Sequence, residues 1–401
     1  MGGHPIDLAS ARSCGTTIGV RGASGVGRRN VLRTVSPVRD LPTDRIQVVD
    51  RYAESGEDGL ADESRAPHCP SQSIPEKIQA RVVKLREEHP TWGPRKLRAS
   101  LGQREPDVHW PAASSIGDLL KREGFVHARK RRRRTPLSPL YSQPLAHADA
   151  PNRVWTADYK GWFLCRNGQR CDPLTIVDAC SRYLLLCRAV EKTDSQHTRA
   201  LFEAVFRAYG MPEAIRSDNG APFGSPAPGG LSRLSVWWIR LDLRHERIDP
   251  GCPQQNGRHE RMHETLKQET AKPPQSNIPK QQRAFEQFEQ CYNWERPHEA
   301  LQYATPGAVY QPSQREFPSR LPQMEYPDED LVRSVSSGGY FSWKHQPVFV
   351  SEVLGGERIG LRETDDGLHE VYFGPVLLGW FDAIDRSFVA DSGPRRRKRK
   401  K

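Results

Sequence analysis

The sequence predicts an α/β domain with a mixed sheet, preceded by a helix-turn-helix region and followed by a small β-barrel. Three observations carry this expectation. Between residues 152 and 272, three adjacent strand-like runs give way to alternating helix and strand, the order of an α/β domain whose sheet is mixed. Upstream, three short helical patterns with tight turns lie between about Ile74 and Gly124. Downstream, five short strand-like runs recur at regular spacing between 330 and 391, as in a small barrel.

Each element has a local reason. Ile78, Val82, Val83 and Leu85 recur near the helical period. Pro90-Thr-Trp-Gly-Pro94 interrupts the pattern, and Pro94 can open a second helix through Leu97 and Leu101. A third fits Ala112 to Arg122, exposing Ser115, Asp118, Lys121 and Arg122, with Gly124 as its stop. Such a trio reads as a helix-turn-helix unit over 75–128. Arg129 to Arg134 are six consecutive cations opening a basic linker, 129–151. Strand signals follow at Val154–Phe163, Pro173–Ala179 and Tyr183–Ala189, a helix at Gln196–Tyr209, and a strand at Glu213–Ser217. A Pro/Gly-rich loop from Ala221 to about Gly230 precedes a helical run, Leu231–Leu243, an extended Arg244–Ile248, and a helix after Gly257. A helical extension and linker, 273–329, includes a helix at Gln281–Trp294. The barrel strands are expected at Gly339–Trp343, Val348–Val353, Arg358–Arg362, Leu368–Phe373 and Leu377–Phe381, with Asp366-Gly367 marking one turn; a basic tail, 392–401, ends in the seven cations Arg395–Lys401.

Residues 1–50 are rich in Gly, Arg, Ser and Val without a period and read as a disordered or non-native leader. Gly22-Ala-Ser-Gly-Val-Gly27-Arg-Arg29 imitates a phosphate loop, but Arg28 and Arg29 replace the Lys and Ser/Thr that such a loop requires, and no apolar strand leads into it. A net charge of +11 over 401 residues, with the excess clustered, favours a polyanionic partner, most simply nucleic acid. No apolar run is long enough to span a membrane, and the N-terminus lacks the apolar centre of a signal peptide. None of the eight cysteines forms a Cys-x-x-Cys pair. Free buried thiols in a reducing, intracellular setting are expected instead.

The chemistry points to three acids. Asp158 lies in the alternating run Val154-Trp-Thr-Ala-Asp158, Asp218 opens Asp-Asn-Gly after a strand, and Glu260 follows Pro253-Gln-Gln-Asn-Gly257 near the start of a helix. Carboxylates brought together repel strongly, and a divalent cation relieves that repulsion. Hard oxygen donors suit Mg²⁺ or Mn²⁺, and two such ions suit phosphodiester chemistry.

These three motifs, with Tyr292-Asn-Trp-Glu-Arg-Pro-His-Glu-Ala-Leu301, resemble those of DDE insertion-sequence transposases, whose catalytic core is similar to retroviral integrases. The likeness spans roughly 75 to 391. It implies a ribonuclease-H-like core over 152–272, with Asp158, Asp218 and Glu260 as catalytic residues and ligands of Mg²⁺ or Mn²⁺. It implies cleavage at the ends of an insertion sequence, which frees a 3′-hydroxyl, and in-line attack of that hydroxyl on target DNA. It also implies a bacterial cytoplasmic protein that works as a homo-multimer on DNA. Pro253–Gly257 looks like the active-site loop of integrases. DNA contacts are expected from Asn256 in that loop, from Lys267 seven residues past Glu260 on the same helix face, and from Lys121, Arg122, Arg131 and Arg132. Asp218 and Glu260 are 42 positions apart, more than is commonest in retroviral integrases, and the surplus fits an extended loop around Ser225–Gly230. Relatives of this type begin with a further helix-turn-helix, whereas similarity here starts near Asp50. A shifted reading frame or mispredicted start is the expected cause for residues 1–48.

Two other readings use the same residues. A catalytically inactive DNA-binding remnant would keep the basic tracts. A zinc metalloprotease would use His259-Glu260-Arg261-Met262-His263 as H-E-x-x-H, with Glu286 or Glu289 as third ligand. Asp178 is expected as a turn residue more than as a supporting acid, Trp237 and Trp238 as core, and His298 as a helix-end anchor.

Overall fold

Two-sided burial of the central strands organises the molecule. The computed structural model describes residues 50–57, 74–126, 148–249, 257–365 and 367–390. The leader, Arg131, Arg132, Asp366, the Pro253–Asn256 stretch and the Arg395–Lys401 tail lie outside the described residues. The chain divides into two units, Met1–Ser73 and Ile74–Lys401. In the first, residues 50–55 are helical. The remaining elements belong to the second.

Three helices come first: α1 (Glu76–Glu88), α2 (Pro94–Arg104) and α3 (Ala113–Arg122). Val82, Leu85, Trp92, Leu97, Ile116 and Leu120 meet in one cluster, where each fully buried aliphatic side chain contributes about 1.5–3 kcal/mol. Pro94 stands in the first turn of α2, where its missing N–H costs nothing. The second connection is not the tight turn expected. Residues 105–112 fold back, burying Trp110, whose Nε1 donates to the Glu105 carbonyl at 3.2 Å.

The sheet comprises β1 (Val154–Tyr159), β2 (Phe163–Leu164), β3 (Arg170–Asp178), β4 (Leu184–Val190), β5 (Ala214–Ser217) and β6 (Arg244–Arg247). Its order is β2-β3-β1-β5-β6, with β4 also on β3. β1, β3 and β4 pair antiparallel, whereas β5 joins β1, and β6 joins β5, in parallel. This is the ribonuclease-H-like arrangement. The single run expected over Val154–Phe163 is instead broken at Gly161, whose φ of +84° only glycine adopts cheaply.

Alternation along the strands sends side chains to two helical layers. Trp155, Leu174 and Ile215 pack under α4 (Ser195–Tyr209) and α5 (Arg233–Arg240) against Phe202, Trp237 and Trp238. Both tryptophans are core, as expected. Val177, Leu184 and Cys187 pack on the other face under α6 (Gly257–Thr270) and α7 (Ile278–Gln290), with Met262, Leu266 and Phe285. Cys187 is a buried free thiol.

The Tyr292-Asn-Trp-Glu-Arg segment has a structural task. α7 runs into a π-helical turn, Cys291–Glu295. There the Asn293 side chain accepts from Leu184 N at 2.8 Å and donates to Leu184 O at 2.9 Å. Gln282 of α7 does the same for Ala189 N and Cys187 O, at 2.8 and 3.2 Å. Edge strand β4 thus has polar groups satisfied by side chains. Buried Arg296 pairs with Glu269 at 2.7 Å, and His298 precedes the short helical turn Glu299–Leu301, as a helix-end residue. A short helix α8 (Pro306–Val309) then leads into a strap whose Tyr310 stacks on Tyr183 with ring centroids 4.4 Å apart.

The C-terminal region departs from the expected five-stranded barrel. Among the described residues it holds seven strands: β7 (Leu331–Ser334), β8 (Tyr340–Trp343), β9 (Gln346–Phe349), β10 (Arg358–Asp365), β11 (Leu368–Phe373), β12 (Val376–Asp382) and β13 (Ser387–Ala390). Five form an antiparallel sheet, β13-β12-β11-β10-β7, and β8–β9 is a separate hairpin, so no closed barrel forms among the described residues. β7 and β13 escaped sequence reading because their burial is partial, without a clean alternation. The hairpin nonetheless shares a core with the sheet through Phe341, Trp343 and Val348 against Phe373 and Phe381.

Two consequences are measurable. Asn293→Ala strands both Leu184 backbone groups and should lower stability by about 2 kcal/mol in chemical denaturation; an unchanged midpoint would contradict the role assigned. Burial pushes the Glu289 carboxyl from 4.5 to about 7, so folding takes up a proton between those values. The stability linked to that proton is present below pH 4.5 and lost as pH rises through 7. Glu289→Gln should therefore raise Tm more at pH 8 than at pH 5.

Candidate active site

Parallel pairing places the first two acids. β1 and β5 run side by side with Val154 opposite Ala214 and Thr156 opposite Arg216. The same offset sets Asp158, at the carboxyl end of β1, beside Asp218, one residue past β5. Adjacent strands are ~4.8 Å apart, and two carboxylates at about that spacing repel by roughly 3.5 kcal/mol at an effective dielectric near 20. The cost appears at Asp158. Burial first, and Asp218 second, push its carboxyl up to about 7; Glu260 adds to the rise, while the Tyr159 backbone amide and Lys160 oppose it. Asp218 and Glu260 thus both act on Asp158. Asp218 is also raised by burial, against a 3.2 Å hydrogen bond from Gly220 N. A Cβ on Gly220 would lie 3.2 Å from Asp218 Oδ2, so any larger residue there would press on that carboxylate.

Glu260 lies in the first turn of α6 and is exposed, and its neighbour His259 is 1% exposed. His259 Nδ1 lies 2.8 Å from Thr156 Oγ1 of β1, so the start of α6 is pinned over the strand that carries Asp158. Asp158, Asp218 and Glu260 each offer hard carboxylate oxygen, the donor type that suits Mg²⁺ or Mn²⁺.

The H-E-x-x-H reading fares differently. Both Nε2 atoms, which would converge on zinc, converge on Thr175 Oγ1, at 2.6 Å from His259 and 2.7 Å from His263. The acid that joins them is Asp158, not Glu286 or Glu289: one ligand atom from each of Asp158, His259 and His263 lies within 4.8 Å of the others. Burial holds both imidazoles well below the usual histidine range, His259 to about 3.

The other expected residues fall as follows. Lys267 is exposed on α6, two turns beyond Glu260, beside a cleft of about 190 Å³. Lys160, Trp162 and Lys272 line the same cleft over buried Leu266 and Phe285. Sequence reading missed these three, although Lys160 stands only two residues from Asp158. Lys121 and Arg122 are exposed in the last turn of α3, and Arg122 reaches Gln79 Oε1 at 3.4 Å; Ser115 is half-buried instead of exposed. Asn256, Arg131 and Arg132 lie outside the described residues. Asp178 is the turn residue expected: Oδ1 accepts from Ser181 N and Oγ at 2.7 and 2.6 Å, and Oδ2 from Asn152 N at 2.7 Å.

The fold is that of an integrase-type core. Family models agree: integrase core domain models match residues 148–253 and 241–306, and a homeodomain-like domain model matches 47–120. The chain is 30% identical over 232 residues to the insertion element IS407 uncharacterized 31.7 kDa protein of Burkholderia multivorans, covering 58% of this chain and 79% of that one. It is 29% identical to the insertion element IS476 uncharacterized 39.2 kDa protein of Xanthomonas euvesicatoria, over 45% of this chain and 48% of that one. Among solved structures, the simian T-cell lymphotropic virus intasome aligns over 74% of this chain and 97% of its own, at 16% identity and a TM-score of 0.37. The HTLV-2 integrase catalytic core in complex with magnesium aligns over 40% of this chain and 98% of its own, at 17% identity and a TM-score of 0.33. The chain belongs to the insertion-sequence transposases with an integrase-like core.

Proposed function

We propose that this chain cuts DNA at the ends of its insertion sequence and joins the freed 3′-hydroxyl to target DNA. The observation that carries the reading is the register of Asp158 with Asp218, with the Asp158 carboxyl held near neutrality by burial and by two neighbouring acids. Asp158, Asp218 and Glu260 would hold Mg²⁺ or Mn²⁺. When bound, such ions activate water and offset charge on the leaving oxygen. The chain's own side chains do the rest. Lys267 and Lys160 would hold phosphates beside the acids, where developing charge needs cations. Asn256 would contact the DNA end from the loop before α6. Lys121 and Arg122 of the helix-turn-helix region, with Arg131 and Arg132 of the linker, would contact the backbone of the element end. The domain plan would be a leader to 50, a DNA-binding region at 75–128, a linker at 129–151, the catalytic core at 152–272, a helical extension at 273–329, the β-rich region at 330–391 and a basic tail. Work on two ends requires more than one active site, so a homo-multimer assembled on DNA in the bacterial cytoplasm is the working form.

The test is an in vitro reaction with DNA from the element's own ends and Mg²⁺ or Mn²⁺. Asp158→Asn should lower strand transfer by about 10³-fold or more while binding of the end fragment stays near wild type; retained transfer would refute the assignment, and binding without cleavage by the unaltered chain would favour the inactive remnant. Lys267→Ala should weaken binding across sequences and reduce the salt slope by about one.

A further inference from the structure

The two histidines of the H-E-x-x-H string have no role in the reaction above, yet they are among the most deeply buried polar groups of the core. Sheet geometry explains where they sit. Thr156 and Asp158 are two apart on β1 and share a face. Thr175 of β3 is the ladder partner of Asp158, so its side chain shares that face too. His259 and His263 are four apart on α6 and point together onto the same patch. The result is a continuous line of contacts. Thr156 Oγ1 lies 2.8 Å from His259 Nδ1. Thr175 Oγ1 lies 2.6 Å from His259 Nε2 and 2.7 Å from His263 Nε2. His263 Nδ1 then faces Asp158 Oδ2 at 3.5 Å.

We infer that His263 is a positioning residue for Asp158, set in one tautomer by Thr175, and that this threonine–histidine line is what the H-E-x-x-H string encodes. The inference rests on Asp158 being a metal ligand. A ligating carboxylate only accepts hydrogen bonds, so the ring hydrogen of His263 must sit on Nδ1. Its Nε2 is then an acceptor and takes the Thr175 hydroxyl hydrogen. The Thr175 oxygen in turn accepts from His259 Nε2–H, and His259 Nδ1 accepts from the Thr156 hydroxyl. In this one polarity three ring nitrogens are hydrogen-bonded and the fourth, His263 Nδ1, turns its hydrogen to the carboxylate across 3.5 Å. The competing donation from Thr175 to the Asp158 carbonyl is longer, at 3.2 Å, and would set a bare Nδ1 lone pair against the carboxylate. Polar support behind a metal-ligating carboxylate fixes its orientation. Here that support reaches from α6 through β3 to β1, which couples the seat of Glu260 to the aim of Asp158.

The experiment is a Mn²⁺ titration of the full chain followed by electron paramagnetic resonance, with thermal unfolding alongside. Thr175→Val keeps the shape but removes the hydroxyl, and should weaken Mn²⁺ binding about 10–100-fold; it should also lower Tm, because two buried imidazole nitrogens lose their partner. Thr175→Ser should restore binding to near wild type, and Asp158→Asn should abolish the same binding event. Should the valine variant fail to fold, His263→Gln serves in its place, with the same weakening expected. Wild-type Mn²⁺ affinity in these variants, with binding lost in Asp158→Asn, overturns the positioning role and leaves the metal assignment standing. Unchanged binding in Asp158→Asn overturns both. Nitrogen hyperfine coupling to the bound Mn²⁺ overturns the inference as well, since it would make a histidine a direct ligand.

Discussion

The parallel contact between β1 and β5 is the constraint on which the rest depends. It sets two carboxyl groups at the carboxyl ends of neighbouring strands, where repulsion from Asp218 adds to the rise of the Asp158 pKa. The surrounding fold must overcome that repulsion. It does so with the apolar side chains that alternate with the acids: Trp155 and Ala157 on β1 and Ile215 on β5 are wholly buried, and they anchor the two strands from the opposite face. The same alternation turns Thr156 and Asp158 toward α6. A strand with one hydrophobic and one chemically active face is thus a direct outcome of the period of two.

The other elements keep that pair of strands in place. Asn293 and Gln282 close the polar edge of β4. α5 is shared between two cores: Leu234, Trp237 and Trp238 face the catalytic sheet, while Val236 and Ile239 join the C-terminal strands. The Pro/Gly-rich segment before it is no passive surplus. Gly229 and Gly230 take left-handed backbone, with φ of +65° and +66°, and a Cβ on Gly229 would meet Val376 of β12 at 2.8 Å. The length that separates Asp218 from Glu260 therefore goes into a contact with the C-terminal sheet. Arg240 strengthens this junction through Glu357 at 3.3 Å and the Pro322 carbonyl at 3.0 Å. Thr91 with Glu269, and Gln103 with the Tyr303 carbonyl at 2.8 Å, tie the helix-turn-helix region to the core.

Where local pattern coincided with burial, the reading held. α2 begins at Pro94, whose fixed φ suits a first turn, and β3 is buried from Cys171 to Asp178 because both its faces are covered. Where burial was partial or long-range, the pattern was silent. β7 and β13 carry no clean alternation, so an open sheet with a separate hairpin looked like a barrel. The strap from Tyr310 onward has no period of its own and is held only by what it touches. His259 and His263 matched a zinc motif because sequence spacing reports which face of a helix residues share, but not what that face meets.

From residue order alone came the local character of the acid-bearing segments: an alternating strand ending at Asp158, a strand running into Asp218-Asn-Gly, and a helix opening at Glu260. Each depends on interactions within a few positions, which composition and period record. Only the tertiary structure decided that β1 lies parallel to β5, that Thr175 stands across from Asp158 beneath the two histidines, and that Lys160, Trp162 and Lys272 gather beside Lys267. Those juxtapositions arise from pairings between residues tens of positions apart, set by which apolar faces can be buried together, and no local pattern encodes them.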